Sequence, residues 1–194
     1  MENVYAPPLA AVADLPSAGT GEFYVVAQTK LIVLFVGTLS LYSIYYWYQQ
    51  WARYGRFNKQ SLWPVPRAIF QVFFTHTFTS EVEHRLHRRG QQLDWAPKGL
   101  ATAYVLLLIA TNVADRVSGL APELWWLSVA GIGLLPILAW TLARIQRGVN
   151  VAAGDPTGES NRRLTWANVI WLVVGGLMWL LVIAGVLLTL NGDI

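Results

Sequence analysis

Four stretches of the chain lose nearly all their polar positions: residues 31–51, 99–117, 124–143 and 169–190. At a helical rise of 1.5 Å per residue the first of these covers about 31 Å, matching a hydrocarbon core about 30 Å thick. Each stretch predicts a membrane-spanning helix. The second half of the first run carries Tyr42, Tyr45, Tyr46 and Gln49 on one helical face and Trp47, Tyr48 and Trp51 on the other. Aromatic rings with polar tips suit the headgroup level of a bilayer. In the third run Pro136 removes an amide donor and predicts a kink. Gly131 and Gly133 in that run, with Gly175, Gly176 and Gly185 in the fourth, predict that the third and fourth spans pack together.

Between the first two runs the pattern changes. Residues 62–78 are apolar except for a stripe made by Arg67 and Gln71, with Pro64 and Pro66 at the start. Placing an arginine at mid-bilayer costs about 2.5–3.5 kcal/mol on insertion scales, so this stretch predicts an interfacial or re-entrant helix. Ser80-Glu81-Val82-Glu83 then matches a capping box and predicts a short helix that Gly90 ends. Residues 1–30 read as a tail, in which Phe23 to Val26 form a short extended or interfacial segment. The turn formers of residues 154–161 lead to Thr165 as the N-cap of the last span. The predicted fold is an all-α membrane protein: a tail, then a domain of four transmembrane helices over residues 31–190, with the 62–78 helix between spans one and two.

Composition and charge sharpen this picture. Charged residues make up 13% and hydrophobic ones 55%, against about 25% charged in a soluble domain, which excludes an ordinary soluble core. With no cysteine, thiolate metal sites and cysteine nucleophiles are excluded. Eight of the fourteen basic residues lie between Arg53 and Lys98. On the four-span topology twelve fall on one side of the membrane, leaving Lys30 and Arg116 on the other. Basic loops stay cytoplasmic, so both termini are expected in the periplasm of a bacterial inner membrane. The basic pI points to anionic lipid as a partner, beside a possible membrane-protein partner or homo-oligomer, and not to nucleic acid.

Three stretches together resemble a family of small, uncharacterised four-span inner-membrane proteins common in proteobacteria. They are Leu41-Tyr42-Ser43-Ile44-Tyr45-Tyr46-Trp47-Tyr48, Pro66-Arg67-Ala68-Ile69-Phe70, and Gly154-Asp155-Pro156 through Asn161 to Thr165-Trp166-Ala167-Asn168. The likeness covers about residues 23–188. It implies a four-span membrane protein and carries no catalytic or ligand residues. Ser43 stands where that family usually has glycine.

Candidate chemistry is sparse. Glu81, His84 and His87 recur at intervals of three on a predicted helix and could share a face as divalent-metal ligands, although the spacing matches no zinc signature. The alternative is a wetted interfacial helix whose Arg85, Arg88 and Arg89, with Arg67 upstream, contact lipid phosphate or a partner. Asp155, Thr157, Glu159 and Asn161 alternate oxygen ligands as calcium loops do, but Pro156 and the missing twelfth-position acid favour a polar turn. Asn112 and Asp115, with Arg116, could line a polar path, because ionisable groups near membrane depth mark solute routes. No nucleophile stands beside a base and no phosphate-binding glycine pattern occurs, so no cofactor is expected. The reading is a non-enzymatic accessory protein or scaffold, with a small channel or transporter and a metal-dependent membrane enzyme as alternatives.

Overall fold

The computed structural model describes residues 21–191, and they form helices and loops only. The helices are α1 (Gln28–Gly37), α2 (Tyr42–Phe57), α3 (Pro64–Ile69), α4 (Gln71–Arg88), α5 (Pro97–Leu120), α6 (Trp126–Gly133), α7 (Leu135–Ala153) and α8 (Trp166–Asn191). Three courses are long and apolar enough to cross a membrane: α5, the run Pro122–Ala153 that contains α6 and α7, and α8. Prolines sit in the first turns of α3, α5 and α7, where a missing amide costs nothing. Pro136 does interrupt its span, ending α6 at Gly133 and restarting the helix at Leu135.

The expected first span is not a span. Residues 31–51 divide at Thr38–Leu41, where Leu39 and Ser40 take left-handed φ angles of 48° and 69°. The Thr38 hydroxyl donates to the Leu34 carbonyl at 2.7 Å and accepts from the Tyr42 amide at 3.0 Å, closing α1 and opening α2 with one side chain. α1 starts beside the α7–α8 loop, where the Ala27 amide donates to the Asn161 carbonyl, and ends where Gly37 meets Gly175 of α8. α2 then returns, so that Asn58 at its end donates to Glu22 ahead of α1. The ten residues of α1 rise about 15 Å, half a hydrocarbon core.

The 62–78 helix is likewise two pieces, because the chain breaks at Phe70. α3 packs along α2 toward the same depth, and α4 climbs back for eighteen residues. Ser80 lies inside α4 and caps nothing. The neighbouring hydroxyls of Thr75 and Thr79 bond back to Gln71 and His76 carbonyls, which lets polar residues continue the helix. Gly90, at φ 62°, follows α4 as expected. The tips of the two hairpins meet where Gln71 Nε2 donates to Ser43 Oγ at 3.2 Å and the Tyr104 hydroxyl of α5 donates to Gln71 Oε1 at 2.7 Å.

α1 lies between α7 and α8, so the predicted pairing of the last two spans is replaced by contacts of each with α1. Gly175 serves α8's approach to α1, and Gly131 serves the approach of α6 to α5. The core is aromatic. Trp47 and Trp51 meet Phe78 edge-on at 5.3 and 5.4 Å, and Phe23 meets it at 5.8 Å.

After a bend at residues 21–23 the chain crosses this core through residues 24–27 without helix. An extended backbone buried away from water must have its amides and carbonyls paired. Side-chain amides supply the pairing. Gln50 bonds both the amide and the carbonyl of Tyr24, Asn150 bonds both those of Val26, and Gln146 and Asn161 donate to Tyr24 and Val25 carbonyls. Gly158 sits against this strap at φ 71°, where any Cβ would strike the Val26 carbonyl at 2.7 Å.

Candidate lipid-contact site at the basic end

Lys30 lies at the same end as the other basic residues. Its Nζ donates to Asn161 Oδ1 at 2.7 Å and to the Arg163 carbonyl at 2.8 Å, in the α7–α8 loop. Thirteen of the fourteen Lys and Arg residues therefore belong to one half of the molecule, with Arg116 alone in the other. The described chain begins at Gly21 on this basic side, and α8 ends at the opposite one. Residues 1–20 and 192–194, on which the expectation for both termini falls, lie outside the described residues.

Of the four predicted contact arginines, only Arg88 is simply exposed. Arg67 stacks between Trp51 and Phe74, with its guanidinium carbon 4.5 and 4.9 Å from their ring centres. Arg85 turns inward to pair with Glu22, Nε to Oε2 and Nη2 to Oε1 both at 2.6 Å. Glu22 is buried, so this pair fastens the strap to α4. Arg89 donates to the Ala152 carbonyl at 2.9 Å and satisfies the C-terminal end of α7.

Glu81, His84 and His87 all lie on α4, with both imidazoles exposed and Glu81 half-buried. Among the described residues no three His, Asp or Glu side chains converge as metal ligands would. His87 lines a shallow cavity of about 400 Å³ together with Glu83 and Gln91. In the 154–161 loop both carboxylate oxygens of Asp155 accept amides, from Glu159 and Ser160 at 3.0 Å each. Burial pushes the Asp155 carboxyl up, but hydrogen bonds from Ser160 and from the amides of residues 158–160 outweigh it and hold it below its ordinary value.

Asn112 and Arg116 line a cavity of about 630 Å³ that opens below the hairpin tips, between α5 and α8. Asn112 spends its amide on the Leu108 carbonyl of its own helix. Asp115 accepts from Ser128 of α6 at 3.3 Å outside that cavity. Toward the basic end the space above it is filled by fully buried Trp47, Tyr46 and Tyr104.

A third cavity, of about 560 Å³, lies between α2 and the start of α8. Lys30 and Arg53 line it at one end, and Tyr45 and Trp171 at the other, with ring centres 6.2 Å apart. Thr165 and Asn168 shape its edge. Asn168 Oδ1 accepts both the amide and the hydroxyl of Thr165, at 2.9 and 3.1 Å, so the N-cap amide is satisfied as in one half of a capping box. Among the described residues that line it none is acidic. Sequence reading missed this groove because Lys30 seemed to mark the opposite side of a span. The signal available was a lysine opening an apolar run.

No protein-family model, curated protein or solved structure matches this chain.

Proposed function

We propose that this protein is a non-enzymatic accessory subunit or scaffold of the bacterial inner membrane, holding anionic lipid or a membrane-protein partner at its basic end. The observation that carries the reading is the gathering of thirteen of fourteen basic residues around one half of the molecule. An excess of Lys and Arg orients a membrane protein with that side toward the cytoplasm, where anionic headgroups add roughly 1 kcal/mol per basic residue near the surface. The α7–α8 loop, residues 21–27 and the end of α4 then face the cytoplasm, and the far end of α8 faces the periplasm. This revises the expected topology from four spans to three.

Two measurements test the reading. A reporter that fluoresces only in the cytoplasm glows when inserted near Gly158 and stays dark after Ile194; the reverse pattern overturns the orientation. Reconstituted protein copurifies with phosphatidylglycerol-rich membranes or a specific partner. Replacing exposed Arg88, Arg162 and Arg163 by glutamine weakens peripheral contacts without unfolding, since none of them is buried.

A channel or transporter reading draws on the cavity that Asn112 and Arg116 line. It requires Asn112→Leu to abolish a solute flux into proteoliposomes; unchanged flux removes it. The metal-enzyme reading through Glu81, His84 and His87 requires stoichiometric metal lost in either histidine variant.

A further inference from the structure

We infer that the groove between α2 and α8 holds the phosphate headgroup of one anionic phospholipid, with Lys30 and Arg53 as its cationic partners and Tyr45 and Trp171 flanking the glycerol region. The inference rests on the proposed lipid-binding role of the basic end and gives that role a defined site.

Charge comes first. The Lys30 residue is only 5% exposed, and its ammonium spends two of three N–H donors on neutral oxygens. Among the described residues no carboxylate neutralises it. A buried cation without a counter-charge is costly, and an anion beside it removes that cost. Arg53 is a second cation in the same lining, held face-on over the Tyr24 ring with its guanidinium carbon 4.9 Å from the ring centre. Stacking leaves the planar edge donors of a guanidinium available, and among the described residues they bond no protein acceptor. Such a fork matches phosphate oxygens in pairs. The first turn of α8 borders the groove through Ala167 and Asn168, and the N-terminus of a 26-residue helix adds partial positive charge.

Shape then separates a lipid from a soluble anion. The groove runs from a polar mouth at Gly21, Arg53 and Ser160 to the paired rings of Tyr45 and Trp171. Beyond those rings α8 presents exposed Val174 and, two turns further, Leu181, a surface suited to acyl chains. Cationic at one end and apolar at the other, the groove has the polarity of a phospholipid entering from the bilayer. A volume of about 560 Å³ is ample for a headgroup.

The test uses full-length protein in nanodiscs and native mass spectrometry after delipidation. Wild type retains one phosphatidylglycerol, at least tenfold preferred over phosphatidylcholine. Arg53→Gln, which removes no hydrogen bond to any of the described residues, lowers that retention about tenfold with an unchanged melting temperature; Lys30→Met lowers it further. Arg162→Gln with Arg163→Gln reduces retention on phosphatidylglycerol vesicles but keeps the tightly held lipid. Unchanged lipid in folded Arg53→Gln and Lys30→Met overturns the groove, while vesicle retention that still depends on anionic lipid leaves the broader reading standing. No anionic preference in any format overturns both. Displacement of the lipid by equimolar glycerol 3-phosphate overturns the lipid assignment in favour of a soluble phosphate.

Discussion

Gln50, Gln146 and Asn150 are fully buried near the basic end, and each pairs with the strap backbone. Asn112 and Asp115, in the half beyond Tyr104, are exposed, and their hydrogen bonds reach only their own helix or Ser128. The two sets have similar chemistry and opposite consequences. Near the basic end the amides complete an extended segment that has no helix of its own to satisfy it. In the far half the backbone is satisfied within continuous helices, and polar side chains are incidental to stability. Only the first half resembles the interior of a folded domain.

Removing one side of the Glu22–Arg85 pair tests that contrast most severely. Breaking a buried ion pair costs about 3–5 kcal/mol, because it strands a charge. Glu22→Ala or Arg85→Met is expected to lower the melting temperature in detergent sharply, whereas Arg162→Ala, which breaks the exposed pair with Glu159, leaves it unchanged. Equal shifts would dissolve the contrast.

Glycine substitutions probe packing next. A methyl at Gly175 runs into the Gly37 carbonyl, while nothing stands within 4 Å of one at Gly185 ten residues further along α8. Overpacking costs about 1–3 kcal/mol, and here rigid backbone opposes the methyl, so Gly175→Ala is expected near the top of that range. Gly185→Ala is expected to be neutral or slightly stabilising. Thermal unfolding of both variants decides it.

Amide replacement follows. Gln146→Leu orphans the Tyr46 hydroxyl and weakens the pairing of Tyr24, a loss of about 2 kcal/mol. Asn112→Leu is expected within about 0.5 kcal/mol of wild type. Chemical denaturation in matched micelles compares them.

The smallest effect concerns Asp155. Its carboxyl is held below its ordinary value when folded, so its contribution is present above the unfolded value of about 3.9 and fades as pH falls through the lowered folded one. Wild type and Asp155→Asn should differ above pH 4 and converge as the pH falls below it. A difference that grows on acidification would reverse the assigned sign.

Much of the framework was legible in the chain. α5, the Pro136 break and α8 follow from runs of apolar residues and a proline, and the basic end follows from counting. The hairpin tips did not. Leu39 and Ser40 turn the chain with left-handed angles on residues that do not advertise them, and Ile69–Phe70 breaks without glycine or proline. Averaged hydropathy therefore fused α1 with α2 and α3 with α4. The groove was illegible for the same reason, since Lys30 meets Asn161 only when α1 is a half-depth helix descending from the basic side.

The strap sets the order of assembly. Val26 takes both of its backbone partners from Asn150, 124 residues downstream. At synthesis rates of about 5–20 residues per second those partners emerge roughly 6–25 s after Val26 itself. Gln50 follows Tyr24 by only 26 residues and pairs it early, but through that interval Val26 and the Val25 carbonyl lack the side chains that will cover them. The strap is completed only once α7 has been made, and a ribosome stalled before α7 leaves Val26 without its partners.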